Sequence, residues 1–153
     1  MIKNIGIEIS EEIFSILKNG KILAFLTTYS DKDVPFLTGI TTLYPKNRES
    51  ILLTMISDSI SYRNMVWQKK VTLSIFESNN NCVHIIGRAG VLLAPSRIHP
   101  LMHVAQIDII DIVNEAPMLV NIESGVKWKH ISSESKILHD ALIKELHECA
   151  LNF

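Results

Sequence analysis

Hydrophobic residues in this chain gather in short β-prone runs separated by clusters of Ser, Asp, Asn and Gly. Lys21–Tyr29, Val34–Leu43 and Ser50–Ile56 read as strands, with polar turns at Ser30–Asp33 and Tyr44–Glu49. Links this short join antiparallel neighbours and leave no room for crossover helices. The pattern resumes after a short helix over Tyr62–Lys69 with Val71–Glu77, a hairpin loop at Ser78–Asn81, and a long strand at Cys82–Ala94 closed by Pro95. Gly87 and Gly90 interrupt that strand where a bulge or bend would curl the sheet. Ser96–Ile112 reads as partly helical, with Pro100 in a first turn or at a break. Asn114–Pro117 reads as irregular, and Met118–Ile122 and Val126–Ile131 as the last strands. Ser10, followed by Glu11 and Glu12, caps a first helix that Asn19-Gly20 stops. Ser132 or Ser133 caps a final one running to about Cys149 on a stripe of Leu138, Leu142 and Leu146. Six or seven strands in hairpin order, with helices at corners and ends, predict a closed or partly closed antiparallel barrel. Its expected core contains Ile22, Ala24, Leu26, Ile51, Leu53, Leu73, Ile75, Val83, Ile85 and Val91.

The 153 residues suit one domain with an N-terminal helix (10–19), a barrel (21–131) and a C-terminal helix (133–149). The apolar fraction is 47%, high enough that a buried homo-oligomer face or a well-filled core is expected to absorb the excess. A net charge of −1 gives no general attraction to nucleic acid or anionic membrane. Cys82 and Cys149 form no CxxC and read as reduced thiols of a cytoplasmic protein. No apolar run has the length of a membrane span, Met1–Ser10 lacks a signal-peptide layout, and there is no internal repeat.

Candidate chemistry concentrates in Ile51–Phe76, an apolar strand running into a hydroxyl-rich corner (Ser57, Asp58, Ser59, Ser61), a helix and a second strand. Serine hydroxyls, the free N–H groups of a helix start and Arg63 together make an anion site suited to a phosphate. The plainer reading of the same residues is a helix cap beside an exposed arginine. Arg88 interrupts an apolar strand and is either paired or at an exposed edge. His99 and His103 have i,i+4 spacing, but Pro100 intervenes and no further ligand is legible. His84, His130, His139 and His147 form no visible cluster either, so no metal site is expected. There is no GxSxG, no Gly-rich nucleotide loop and no Cys/His pair at useful spacing.

Four segments in order, ILAFLTTYSDKDVPFLTGITTLY, ILLTMISDSISYRNMVWQKKVTLSIF, VHIIGRAGVL and VNIESGVKWKH, resemble the FMN-binding split-barrel family that includes pyridoxamine 5′-phosphate oxidase and general stress proteins. They span roughly Lys21 to His130. The resemblance implies a mainly β fold with flanking helices, an antiparallel six-stranded split β-barrel, and a homodimer with FMN at two sites built from both subunits. It implies that Thr38, Thr41 and Thr42 hydrogen-bond the flavin ring and that Trp128 packs beside it or across the dimer. It also implies that Ser57, Ser59, Ser61 and Arg63 hold the phosphate. Ser59 matches the family serine and Asn64-Met65 the pair later in the helix, whereas Ile60 and Ser61 stand where the family carries basic residues. The expected function is a flavin-dependent oxidoreductase. The alternative is a non-redox module for haem or another planar ligand on the same scaffold.

Overall fold

A computed structural model of the chain describes residues 2–153. The elements run β1 (Ile2–Gly6), α1 (Glu11–Lys18), β2 (Ala24–Tyr29), β3 (Pro35–Ile40), β4 (Leu43–Pro45) and β5 (Ser50–Ile56). They continue with α2 (Ile60–Gln68), β6 (Lys70–Glu77), β7 (Asn81–Leu93), β8 (Met102–Glu115) and α3 (Ser133–Asn152). Eight strands form one antiparallel sheet in the order β3-β2-β6-β7-β8-β5-β4, with β1 paired to β8. The sheet curls around a single large core. Its two end strands, β3 and β4, are consecutive in sequence and joined only by Thr41-Thr42, so the link spans the seam where the barrel does not close.

Alternation on the strands fills the inside. Nine of the ten expected core residues, from Ile22 to Ile85, are at most 2% exposed, and Ile13 and Leu17 of α1 close one side of the same cluster. Val91 is the exception at 44% exposed. It shares the inward parity of Val83, Ile85 and Ala89 on β7, but the strand has run past the core by that point. The bulge expected at Gly87 is present as a register shift between Ile86 and Gly87. A Cβ at Gly87 would lie 2.7 Å from the Asp108 carbonyl oxygen and closer still to Ile107. Gly87→Ala therefore forces β7 and β8 apart. We expect a loss of about 1–3 kcal/mol of stability by urea unfolding, whereas Gly90→Ala, which meets nothing within 4 Å, changes little.

Several expected elements differ. Ser96–Ile112 is not helical: β8 runs from Met102 to Glu115, taking in Asn114 as well. Ile107, Ile109, Ile110, Ile112 and Val113 are β-branched, disfavour helix and suit a sheet covered on both neighbours by β5 and β7. Met118–Ile122 and Val126–Ile131 are not strands, and neither pairs with the sheet. That segment instead lies against the β6–β7 hairpin, with Ile122 N–H donating to Asn80 Oδ1 (3.1 Å). The sheet also reaches outside the expected 21–131 limits through β1, and β1 and β4 raise the strand count from six to eight.

The final helix starts at its capping Ser132 as expected and lies across the outside of the sheet. Leu146 and Cys149 cover Tyr44, Leu52 and Val104, the outward side chains of β4, β5 and β8. Glu145, 2% exposed, is the polar anchor of this contact: its carboxylate accepts from Ser96 Oγ and from Arg97 N–H (2.7 Å). Cys82 and Cys149 are both buried free thiols, and no helix among the described residues is long and apolar enough to cross a membrane.

Candidate ligand-binding cleft

The seam between β3 and β4 opens into a cavity of about 300 Å³. Thr38, Thr41 and Thr42 line one wall, and Thr54 and Met55 of β5 form the floor. Ser59 and Ser61 come from the start of α2, and Leu138, His139 and Leu142 from the first half of α3. Thr54 is 4% exposed, yet its Oγ1 has no hydrogen-bond partner. Its backbone is fully used, with N–H donating to the Thr42 carbonyl (3.0 Å) and C=O accepting from Thr42 Oγ1 (3.4 Å). A buried hydroxyl left unpaired costs about 1–3 kcal/mol; Thr54 lines the cavity as a residue, with Oγ1 itself covered. His139 Nε2 lies 3.2 Å from the Thr41 carbonyl oxygen, which fixes that nitrogen as the N–H donor. Burial holds the His139 pKa below its ordinary value, so the ring is neutral at pH 7.

Ser59 is the N-cap of α2, its Oγ accepting from Tyr62 N–H (3.1 Å), which leaves its own O–H free to donate. The helix begins at Ile60, two residues earlier than the apolar pattern predicts, and ends at Lys69 in a left-handed cap (φ 62°). Ser61 is consequently in the first turn and only 3% exposed.

The expected phosphate residues are divided between two neighbouring hollows. Ser59 and Ser61 face the threonine cleft, whereas Ser57, Asp58 and Arg63 line an open groove of about 850 Å³ on the other side of α2, and Ser59 borders both. Among the described residues, no Lys or Arg lines the threonine cleft itself. Trp128 does not line it either. Its ring packs on His139 (centroids 5.3 Å apart) and on His130 (5.1 Å), and its buried Nε1 has no partner.

Other candidates serve the fold. Asn64 donates to Thr28 Oγ1 (3.3 Å) and ties α2 to β2. His103 is on β8, not on a helix, with Nδ1 2.7 Å from the Tyr62 hydroxyl, and His99 Nδ1 accepts from Leu101 N–H in the preceding turn. Arg88 is exposed, but on β7 between β6 and β8, opposite Lys70 and Asp108, rather than at a sheet edge. Sequence reasoning missed Thr54 and His139. Thr54 had a signal, as the one hydroxyl inside the apolar run Ile51–Ile56; His139 had none, since its role depends on where α3 crosses the seam.

No family model and no curated protein matches the sequence. Solved structures match its fold. A provisionally assigned pyridoxamine 5′-phosphate oxidase from Lactobacillus delbrueckii superposes with a TM-score of 0.63 at 17% identity, covering 72% of this chain and 98% of that one. HupZ of Group A Streptococcus gives 0.59 at 14% identity over 79% and 99%. An FMN-binding protein from Syntrophomonas wolfei gives 0.55 at 14% over 67% and 83%. At such identities the likeness is one of fold: the chain has the split-barrel fold of the pyridoxamine 5′-phosphate oxidase-like proteins.

Proposed function

We propose that the cleft binds a flavin, FMN in particular, and that the protein works as a flavin-dependent oxidoreductase. The observation that carries this reading is the cavity at the seam itself, lined by neutral hydroxyl-bearing and apolar residues, with Thr54 and its buried hydroxyl among them. That donor set fits a polar-edged planar ring better than a charged metabolite. Thr38, Thr41, Thr42 and Thr54 would hold the ring. Ser57, Ser59, Ser61 and the first N–H groups of α2 would meet the phosphate, with Arg63 supplying charge from the adjoining groove. Trp128, next to His139 at the cleft edge, would bring an aromatic face and an uncommitted N–H. Bound FMN supplies two-electron redox chemistry, while the protein's part is to orient it and exclude water.

Thr54→Val tests the reading because it moves two quantities in opposite directions. Valine keeps the shape and removes the unpaired hydroxyl, so the ligand-free protein should gain about 1 kcal/mol in urea unfolding. FMN should bind about three- to tenfold more weakly, as for one lost neutral hydrogen bond. Lack of any flavin uptake by the wild-type protein, followed by flavin fluorescence at millimolar ligand, would overturn the proposal.

The absence, among the described residues, of a Lys or Arg in the cleft to meet a phosphate favours a second reading, a non-redox module for haem or another planar ligand. A Soret band on haem addition, with no flavin spectrum, would select it.

The same proposal includes a homodimer. Met118, Leu119 and Ile131 are 87%, 95% and 94% exposed on one irregular stretch, apolar surface that a second copy would cover. Light scattering at micromolar protein should report twice the 17.3 kDa chain mass, with an interface on the order of 1,200–2,000 Å². A 17.3 kDa species alone would remove this part.

A further inference from the structure

We propose that His130, His139 and Asp140 form a binding site for a divalent transition-metal ion of the zinc type at the edge of the threonine cleft, with which it shares His139. One donor atom from each residue lies within 4.8 Å of the other two, although His130 is on the irregular stretch before α3 and the other two are on the helix. The nitrogens are already sorted. His139 Nε2–H donates to the Thr41 carbonyl (3.2 Å), which leaves Nδ1 as the lone-pair nitrogen, and this atom faces Asp140 Oδ1 at 3.9 Å. A histidine that gives its second N–H to a backbone carbonyl is the arrangement by which proteins fix the tautomer and ring plane of a metal ligand.

The carboxylate is sorted in the same way. Lys136 Nζ holds Asp140 Oδ2 at 2.6 Å, so Oδ1 is the free oxygen and it is on the histidine side. Two imidazoles and one carboxylate suit Zn²⁺, Co²⁺, Ni²⁺ or Fe²⁺ rather than Ca²⁺ or Mg²⁺. Three protein ligands leave one position open. Trp128 walls the site, packed on both histidine rings, and its buried Nε1–H has no acceptor among the described residues. Metal–nitrogen bonds of about 2.0–2.1 Å require the three donors to draw closer than they are here. Asp140, 57% exposed at its side chain, and His130, on irregular backbone, can supply that movement.

Trp128 also makes the test direct. In the Trp67→Phe background it is the only tryptophan. Chelator-treated protein titrated with Co²⁺ should show saturable quenching of Trp128 fluorescence and d–d absorption bands at one ion per chain, both reversed by Zn²⁺. His130→Ala and Asp140→Asn should each weaken Co²⁺ at least tenfold, with thermal unfolding of the metal-free protein close to wild type. His147→Ala, elsewhere on α3, should leave affinity unchanged. Absence of one-to-one binding at 1 mM Co²⁺, or binding that survives both His130→Ala and Asp140→Asn, would overturn the assignment. Equal losses in His147→Ala would do so too, by showing adventitious binding to surface histidines.

Discussion

Arg63→Ala is expected to weaken FMN about ten- to a hundred-fold and to leave riboflavin almost unaffected. The reason is the division of charge around α2. The threonine cleft has hydroxyls but no cation, and Arg63 is the basic side chain in the groove that shares Ser59 with it. Arg63 is exposed and makes no ion pair among the described residues, so its charge is uncommitted. A charge-assisted hydrogen bond contributes about 1.5–3 kcal/mol, which sets the fold-change. Riboflavin has no phosphate and serves as the internal control, so equal losses for both ligands would make Arg63 a structural residue. Asp58 lines the same groove and opposes any phosphate there; Asp58→Asn should tighten FMN by a smaller factor. If neither substitution moves FMN affinity, the phosphate is held away from this groove.

Glu145→Ala should cost about 2–4 kcal/mol in urea unfolding, the largest stability loss expected of any polar residue here. Truncation leaves Ser96 Oγ and Arg97 N–H without their acceptor beneath α3. Glu145→Gln retains an acceptor oxygen and should cost less than half as much. An alanine variant as stable as wild type would mean that the corner after β7 rearranges to find other partners, and that α3 is held by Leu142, Leu146 and Cys149 alone.

The parts of this architecture that were legible in sequence are those governed by local pattern. Alternation placed Leu26, Leu53, Leu73 and Ile85 inside, Ser10 capped its helix, and Gly87 marked a bulge. The errors arose where a segment's fate depends on what lies beside it. Met118–Ile122 is as β-prone as β2 but pairs with no strand, while Met102–Glu115 carries a proline and polar residues ahead of it and still becomes the strand that pairs with β1, β5 and β7. The site divides along the same line. Thr38, Thr41, Thr42, Ser59 and Ser61 converge on one cavity because the β3–β4 link and the β5–α2 corner are local features. Arg63 and Ser57 fall on the other side of α2, and Trp128 meets His139 only where the helix that follows it lies across the seam. No spacing rule reports such a crossing.

Because α3 supplies Leu138, His139 and Leu142 to the cleft and is fastened further along by Leu146 and Cys149, the affinity measured for any occupant includes the helix's own docking equilibrium. If the helix is seated only a fraction of the time, the apparent dissociation constant rises by the reciprocal of that fraction. The coupling is reciprocal: an occupant resting on Leu138 and Leu142 lengthens the helix's seated time, and amide hydrogen exchange along Ser133–Asn152 slows in proportion to occupancy. Loosening the anchor at Glu145 would thus appear as weaker binding at a cavity that Glu145 never touches.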